Sequence, residues 1–362
     1  MNRIRVLSIL FALIFCAQSA YSQLNNVENL LRGGVDDANV LLKEYLTPFG
    51  KGFGANLNNG WFTTASTHKF LGIDLTVTAN LAVAPPEDET FDLSALPLNS
   101  VRVTNSSGPS TSPTIIGEDS PGPDVTLFAK DPTTGAEIII GNFLMPEGIG
   151  FNYVGSPMIQ AGVGIGGNTD VLLRFFPESQ LSEEIGSLQL LGFGVKHSFT
   201  GENRWGERPS VDISVLAGYT IFQVQSKDLA LEPDPSAIQT GASYDDQQIE
   251  LEANSFTVNL IISKSFSPLT LFGSVGYETS AVDLKLKGLF PVTAIEDNIF
   301  SPNFGQKAIR DLKDPINFSI DGANSLRANL GFRVKLLFLA LHGSYTFANY
   351  PVATLGAGFE LR

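Results

Sequence analysis

Ile73-Asp74-Leu75-Thr76-Val77-Thr78-Ala79-Asn80-Leu81-Ala82-Val83 alternates at nearly every step between an apolar and a more polar side chain. Successive side chains of a strand point to opposite faces. The stretch therefore reads as a strand with Ile73, Leu75, Val77, Ala79, Leu81 and Val83 on one face and Asp74, Thr76, Thr78 and Asn80 on the other. In a soluble sheet the apolar face would cover a core. In an outer-membrane barrel it would face lipid, and the polar face would line the lumen.

The same period recurs to the end of the chain. After a first strand over Leu71–Ala84, the pattern returns over Met158–Ile165, Asp170–Phe176, Leu188–Ser198, Val211–Gln225, Ile249–Phe266 and Leu271–Lys287. It closes over Leu326–Leu336, Leu339–Phe347 and Val352–Leu361. With the first strand running away from the periplasm, the periplasmic connections become Gly166–Asn168, Phe199–Ser210, Phe266–Thr270 and Leu337-Phe338. The external ones become Pro85–Gly155, Pro177–Ser187, Ser226–Gln248, Gly288–Ser325 and Ala348–Pro351. Short turns at one end and longer loops at the other are the asymmetry of outer-membrane barrels, and a soluble sandwich has no reason to show it. The expected fold is all-β: an antiparallel transmembrane barrel of about ten strands. A hairpin read at Val125–Lys130 and Glu137–Phe143 brings the number to about twelve if it joins the wall, with about fourteen as the upper limit. Phe175, Phe176, Tyr219, Phe222, Tyr345, Phe347, Tyr350 and Phe359 fall near strand ends, as interfacial girdles or from ordinary β-propensity.

Residues 1–22 read as a secretory signal peptide. Arg3 and Arg5 precede the apolar run Val6–Ala17, and Ala20-Tyr21-Ser22 gives a small-x-small cleavage site. The expectation is Sec-dependent export to the outer membrane with cleavage near Ser22. The single cysteine, Cys16, lies within this segment, so a lipoprotein cleaved before Cys16 is the alternative, against which the bulky Phe15 argues. The rest of the chain has no cysteine with which to form a disulfide. The 362-residue chain carries a formal charge of −14, which does not suggest nucleic-acid binding.

Residues 23–66 form an N-terminal segment ahead of the barrel at 67–362, in which 85–155 is a long loop or inserted hairpin. Asp36-Asp37 followed by Ala38, Leu41, Leu42, Tyr45 and Leu46 predicts a capped amphipathic helix that Pro48 ends. A glycine-rich loop, Gly50–Trp61, follows. No strand precedes it and no Gly-Lys-Ser/Thr completes it, so it is not a phosphate loop. The segment is expected to plug or flank the periplasmic mouth.

The strand phase turns Asp74, Asn80, Asp170, Arg174, Asp212, Glu278, Arg327, Arg333 and Lys335 inward, along with Lys196 and Glu360. With Lys51 and Trp61 of the glycine-rich loop, these are the candidate lumen or gate residues. Opposite charges in a narrow lumen would pair, because unpaired buried charge is costly. They form either a structural network filling the lumen or an electrostatic constriction that selects a solute. His68, His197 and His342 lack the spacing of metal ligands, and no cofactor is expected. An outer-membrane phospholipase would need a Ser–His pair at the lipid face; His197 with a serine of a neighbouring strand is the only opening for it, and no motif marks a nucleophile. The expectation is that the protein is not an enzyme. Acidic loop clusters such as Glu87-Asp88-Glu89 and Asp245-Asp246 lack the calcium-loop spacing and read as solvated surface.

The final stretch Leu355-Gly356-Ala357-Gly358-Phe359-Glu360-Leu361-Arg362 resembles the terminal strand of outer-membrane barrels, although Phe359 is not last. That likeness implies the barrel-assembly machinery as a partner. Tyr45–Trp61, Met145–Gly150, Ser156–Ile165 and Asn168–Pro177 together resemble an uncharacterised family of exported bacterial proteins of unknown function. The resemblance implies a barrel and supplies no catalytic residues. A plugged barrel is also distantly similar in architecture to outer-membrane long-chain fatty-acid transporters. The functional expectation is passive transport or binding of a small solute, apolar ones included, across a barrel bathed in outer-membrane lipid. The alternatives are a non-transporting barrel displaying long loops for adhesion or envelope structure, and a secreted soluble β-protein.

Overall fold

A computed structural model describes residue 31 and residues 34–130, 136–182, 186–200, 210–227, 231–296, 301–303 and 306–361. The signal-peptide reading, with Arg3, Arg5 and Cys16, lies outside the described residues, as do Arg362 and most of the Phe199–Ser210 connection.

Among the described residues the long α-helix α1 (Val35–Leu57) precedes eighteen strands numbered in chain order. Ten of them make the wall: β1 (Ile73–Val83), β7 (Tyr153–Gly166), β8 (Thr169–Ser182), β9 (Gly186–Ser198), β10 (Asp212–Lys227), β11 (Gln248–Phe266), β12 (Leu269–Lys287), β16 (Ser325–Leu336), β17 (Leu339–Phe347) and β18 (Val352–Leu361). Each pairs antiparallel with the next. β18 returns to β1 in unbroken register from Ile73 opposite Leu361 to Ala82 opposite Val352, so the ten-stranded barrel is closed. These are the ten stretches whose alternation is legible in the sequence. Closure leaves no strand edge in the wall.

The wall is inside out relative to a soluble sheet. Thr78, Asn80, Ser214, Thr220, Asn259 and Thr354 are buried in the interior, while outward Leu330 and Leu355 are 63% and 66% exposed. Leu75, Phe193, Leu260 and Val275 are exposed in the same belt. Each large apolar side chain left in water forgoes about 1.5–3 kcal/mol. A continuous belt of them is a surface for hydrocarbon.

The two ends differ. At the short-turn end β7–β8, β11–β12 and β16–β17 turn within two residues. At the long-loop end β11 and β12 run on for 19 residues each, far beyond the roughly ten that cross a bilayer. There β15 (Ile316–Asp321) takes over from β16 as the neighbour of β12. The insertion between β1 and β7 holds β2 (Thr90–Asp92), β3 (Val101–Val103), β4 (Thr111–Pro113), β5 (Asp124–Lys130) and β6 (Glu137–Leu144). The hairpin read from the sequence is therefore present, but it does not join the wall: β5 and β6 form a separate small sheet with β3. β13 (Leu289–Ile295) and β14 (Lys307–Lys313) pair with each other outside the wall, and Ile238 makes a parallel bridge to Ala308 of β14. Leu93, Val101, Val125, Leu127, Phe290 and Val292 of these insertions share a core with Leu41 and Leu42 of α1. The long loops are thus a folded cap.

The helix departs from the sequence reading in two ways. It does not end at Pro48; it runs through the glycine-rich stretch to Leu57. Helix propensity alone disfavours this, but the glycines let the helix approach the wall. A Cβ at Gly50 would stand 3.0 Å from Ile320, one at Gly52 would stand 3.0 Å from Val154, and one at Gly54 would overlap the Ser280 hydroxyl. Nor does the helix lie at the short-turn mouth. Asp37 accepts backbone hydrogen bonds from Asn99 (2.9 Å) and Ser100 (2.6 Å) in the cap, so its carboxylate anchors the cap rather than capping its own helix. α1 begins among the cap strands and points its C-terminus into the barrel. The chain then descends the lumen and enters β1 at the short-turn end.

Candidate functional site

The last turn of α1 leaves its final carbonyls without intrahelical partners and carries the negative end of the helix dipole. α1 has no basic residue in that turn. The barrel supplies two. Arg174 on β8 donates to the Leu57 carbonyl at 2.7 Å and the Asn59 carbonyl at 2.5 Å. Arg327 on β16, half-way round the ten-stranded ring, donates to the Asn58 carbonyl at 2.8 Å. It also donates to the Asn59 side-chain oxygen at 2.5 Å. The two guanidinium groups hold Leu57–Asn59 from opposite walls.

Their charges are compensated differently. Arg327 pairs with Glu278 of the adjoining β12 at 2.9 Å, and both are buried. Arg174 is fully buried; its partners are the helix-end carbonyls, Gln160 at 3.2 Å and the face of Trp61, 3.7 Å from the ring centroid. Dipole and cation–π attraction take the place of a carboxylate. Trp61 in turn occupies a seat prepared by two glycines. A Cβ at Gly194 would stand 2.8 Å from its ring and one at Gly218 2.6 Å.

Asparagines complete the crossing. Asn56 donates to the Val154 carbonyl (2.7 Å), Asn58 to the Thr279 carbonyl (3.1 Å) and Asn80 to the Asn56 carbonyl (3.2 Å). Thr346 donates to the Asn59 side-chain oxygen at 2.6 Å and Thr354 to that of Asn80 at 2.8 Å. Below this level the chain is extended and meets charges. Ser66 donates to Asp212 at 2.5 Å, Lys196 to the Ser66 carbonyl at 2.8 Å and to Asp170 at 3.1 Å. His68 lies 3.0 Å from Asp170 and 3.5 Å from Asp74. Glu360 takes Arg333 and, at 3.1 Å, Lys335. A cavity of about 40 Å³ remains between Trp61, Gln160, Lys196, Arg333 and His342, room for one or a few waters.

All the inward-turned charges of the sequence reading face the interior. Arg174, Arg327, Glu278, Asn80 and Trp61 meet at the crossing; Asp74, Asp170, Asp212, Arg333 and Lys335 line the short-turn half. Lys51 does not join them. It pairs with Asp88 of the cap at 3.1 Å, beside Tyr350. The carboxamides of Asn56, Asn58, Asn59 and Gln160 and the seats at Gly194 and Gly218 were not singled out by the strand phase. Asn58-Asn59-Gly60-Trp61, a polar pair at the end of a helix before an isolated tryptophan, is the signal that points to them. His197 meets Thr169 at 2.9 Å, not a serine. Among the described residues no cluster of three or more histidine, cysteine or acidic side chains is placed to hold a metal.

The model of a family of unknown function, DUF6588, matches residues 1–361. No curated protein matches the chain. Similar solved structures include Ail, the attachment invasion locus protein of Yersinia pestis, with a heparin analogue: 10% identity, TM-score 0.23, 81% of this chain and 100% of that one covered. The translocator domain of the autotransporter NalP from Neisseria meningitidis matches at 12% identity and TM-score 0.28, covering 82% and 90%. The outer membrane protease OmpT from Escherichia coli matches at 10% and 0.26, covering 82% and 100%. No activity passes from them to this chain.

Proposed function

The chain belongs to the DUF6588 family, of unknown function, and on that premise we propose an outer-membrane barrel sealed by its own N-terminal segment, with its working surface on the cap at the long-loop end. The observation that supports this is the Arg174–Arg327 grip on Leu57–Asn59, which holds the segment across the lumen from opposite walls where the helix ends. A ten-stranded barrel is only slightly wider than the eight-stranded kind that side chains fill, and here one backbone takes the remaining space. In the orientation usual for such barrels the short turns are periplasmic, so the cap faces outward. There it would serve non-catalytic adhesion or envelope organisation. Export by the leader and recognition of β18 by the barrel-assembly machinery belong to the same proposal.

The test is electrical. Full-length protein that fractionates with membranes and shows heat-modifiable gel migration is expected to give no stepwise conductance in planar bilayers. A steady pore in the wild type overturns the sealed reading.

Passive passage of a small solute is the second reading. It is favoured by the polar character of the crossing, since hydrogen bonds to carbonyls and carboxamides can be exchanged for water at modest net cost. It predicts solute flux into liposomes that rises on removal of residues 24–59. Absence of flux in both forms ends that reading.

A further inference from the structure

The two ends of the N-terminal segment are fixed at opposite rims of the wall. At the long-loop end Leu31, Ala38, Leu41 and Leu42 are part of the cap core, with Val101, Val125 and Phe290. Asn39 donates to the Pro315 carbonyl and accepts from the Asn317 amide, both at 2.9 Å, and Tyr45 donates to the Glu147 carbonyl at 2.8 Å. At the short-turn end the His68 amide donates to Asp170 at 2.9 Å and the Leu71 amide to the Gly164 carbonyl at 2.8 Å, just ahead of β1. The segment therefore runs the whole height of the barrel, with α1 starting at the cap and β1 at the opposite rim.

A chain delivered to the outer membrane arrives from the periplasm. With the short turns periplasmic, α1 has its first turn on the side away from delivery. Where α1 packs against the wall, Gly50, Gly52 and Gly54 give it room. Its earlier turns carry Leu41, Leu42 and Tyr45. A helix with such side chains is about 10–12 Å across, too wide for a lumen only slightly broader than the eight-stranded kind that side chains fill. An extended chain is narrower. The wall it would pass is polar, with Thr78, Asn80, Ser214 and Thr220 turned inward, so a backbone can trade one hydrogen bond for another at modest net cost. Burial of Leu31, Leu41 and Leu42 among the cap residues opposes its return.

We infer that the protein carries its own N-terminal segment across the outer membrane. The segment crosses as extended chain, α1 forms at the far side, and its burial in the cap core holds it there. The activity is translocation of a peptide chain, the cargo is the segment that ends as α1, and folding of the cap is the driving force. The inference rests on the outer-membrane reading with the short turns periplasmic; a reporter on the cap separates failure of that reading from failure of the inference.

Beyond Cys16 the chain has no cysteine, so a single introduced thiol reports its side of the membrane to an impermeant maleimide. Lys43 on α1, Ile139 on β6 of the cap and Lys69 at the short-turn rim are all exposed. In intact cells, full-length Lys43→Cys and Ile139→Cys are expected to label, and Lys69→Cys only after the outer membrane is permeabilised. Labelling of Ile139→Cys without Lys43→Cys overturns the inference and leaves the orientation standing. Labelling of Lys69→Cys alone in intact cells overturns the orientation and the inference with it. Leu41→Asp/Leu42→Asp denies α1 its place in the cap core, because a charge buried without a partner is costly. Combined with Lys43→Cys, it is expected to lose most of the labelling in intact cells and regain it on permeabilisation, with heat-modifiable migration retained. Full labelling of that variant in intact cells overturns the cap as what holds the segment outside.

Discussion

The two halves of the lumen hold the same N-terminal segment by different balances of apolar packing and hydrogen bonding. In the long-loop half, α1 is part of a core: Leu57 packs among Met158, Leu190, Ala253, Val282 and Ile320, and Ala55 packs with Val154 and Val352. In the short-turn half the segment is extended; Trp61 and Ala65 join a smaller apolar cluster with Leu172, Leu216 and Ile261, and hydroxyls, backbone amides and charged side chains hold the rest of it by hydrogen bonds. Removing an apolar contact leaves a void that water does not fill. Removing a hydrogen bond next to a small wet cavity leaves a site that water can fill. The upper half should therefore resist withdrawal of the segment, the lower half should exchange, and the arginine crossing should decide between them.

The largest effect is expected at that crossing. Arg327→Met leaves Glu278 buried without its partner, and breaking a buried pair costs about 3–5 kcal/mol. The midpoint of the heat-induced gel shift should fall accordingly, and protease should reach the segment. The double variant Arg327→Met/Glu278→Gln should recover a large part of the loss, because no unpaired charge remains. If the single variant is as stable as wild type, the crossing is not what separates the halves.

Gly54→Leu tests the upper half. Its Cβ would overlap the Ser280 hydroxyl, and overpacking of a filled core costs about 1–3 kcal/mol. The barrel is expected still to form while α1 is displaced, read as new protease sensitivity between α1 and β1 with the heat-modifiable species retained. Should the variant behave as wild type, the helix is not a packed element and the contrast between the halves dissolves.

These two positions also show how much was legible in advance. The strand phase depends on a period of two imposed by backbone geometry, so Ile73–Val83 and its nine counterparts, and the inward side of Arg327 and Glu278, follow from local pattern. The helix beyond Pro48 does not. Pro48, Gly50, Gly52 and Gly54 each argue against a helix by propensity, and what overrides them is close approach to Ile320, Val154 and Ser280, residues more than a hundred positions away. The same holds for the route of the segment. Nothing in Asn58-Asn59-Gly60-Trp61 says from which end it enters a barrel, and only the contacts of α1 with the cap core reveal it. The separation of the Val125 hairpin from the wall is of this kind too, because an alternating strand reads the same in a barrel and in a cap.

Thr64→Val probes the lower half and should do little. Thr64 meets Ser263 at 3.2 Å, but Ser263 also accepts from the Ala65 amide at 2.9 Å, so its hydroxyl keeps a partner. Thr64 also accepts from the Ser66 amide at 3.2 Å, and a loss of about 0.5–1.5 kcal/mol is expected from these two hydrogen bonds, which water in the adjoining cavity can replace. A loss matching that of Gly54→Leu would show the lower half to be as tightly packed as the upper.

The smallest effect is confined to alkaline pH and belongs to the rim of the upper half. Tyr350, in the turn between β17 and β18, donates to Asp88, to which Lys51 is also paired. Burial, then the hydrogen bond to Asp88 and the charges of Asp88 and Glu87, push its hydroxyl well above the ordinary value of 10.0. A group whose ionisation is raised on folding favours the folded state while it stays protonated. Its contribution is complete below the unfolded value and declines as pH rises toward the folded one. Tyr45 on α1, raised chiefly by burial, has the same sign. Stability should accordingly be flat through neutral pH and fall above about pH 10. Tyr350→Phe should remove its own share of that fall while leaving the share of Tyr45. The lower half has no tyrosine among the residues of its descending segment, so its protease protection should not change over the same alkaline range before the barrel itself unfolds. If instead the descending segment is released first, and Tyr350→Phe prevents that release, the cap and the lower lumen are coupled through α1, and the two halves are a single cooperative unit rather than two differently held ones.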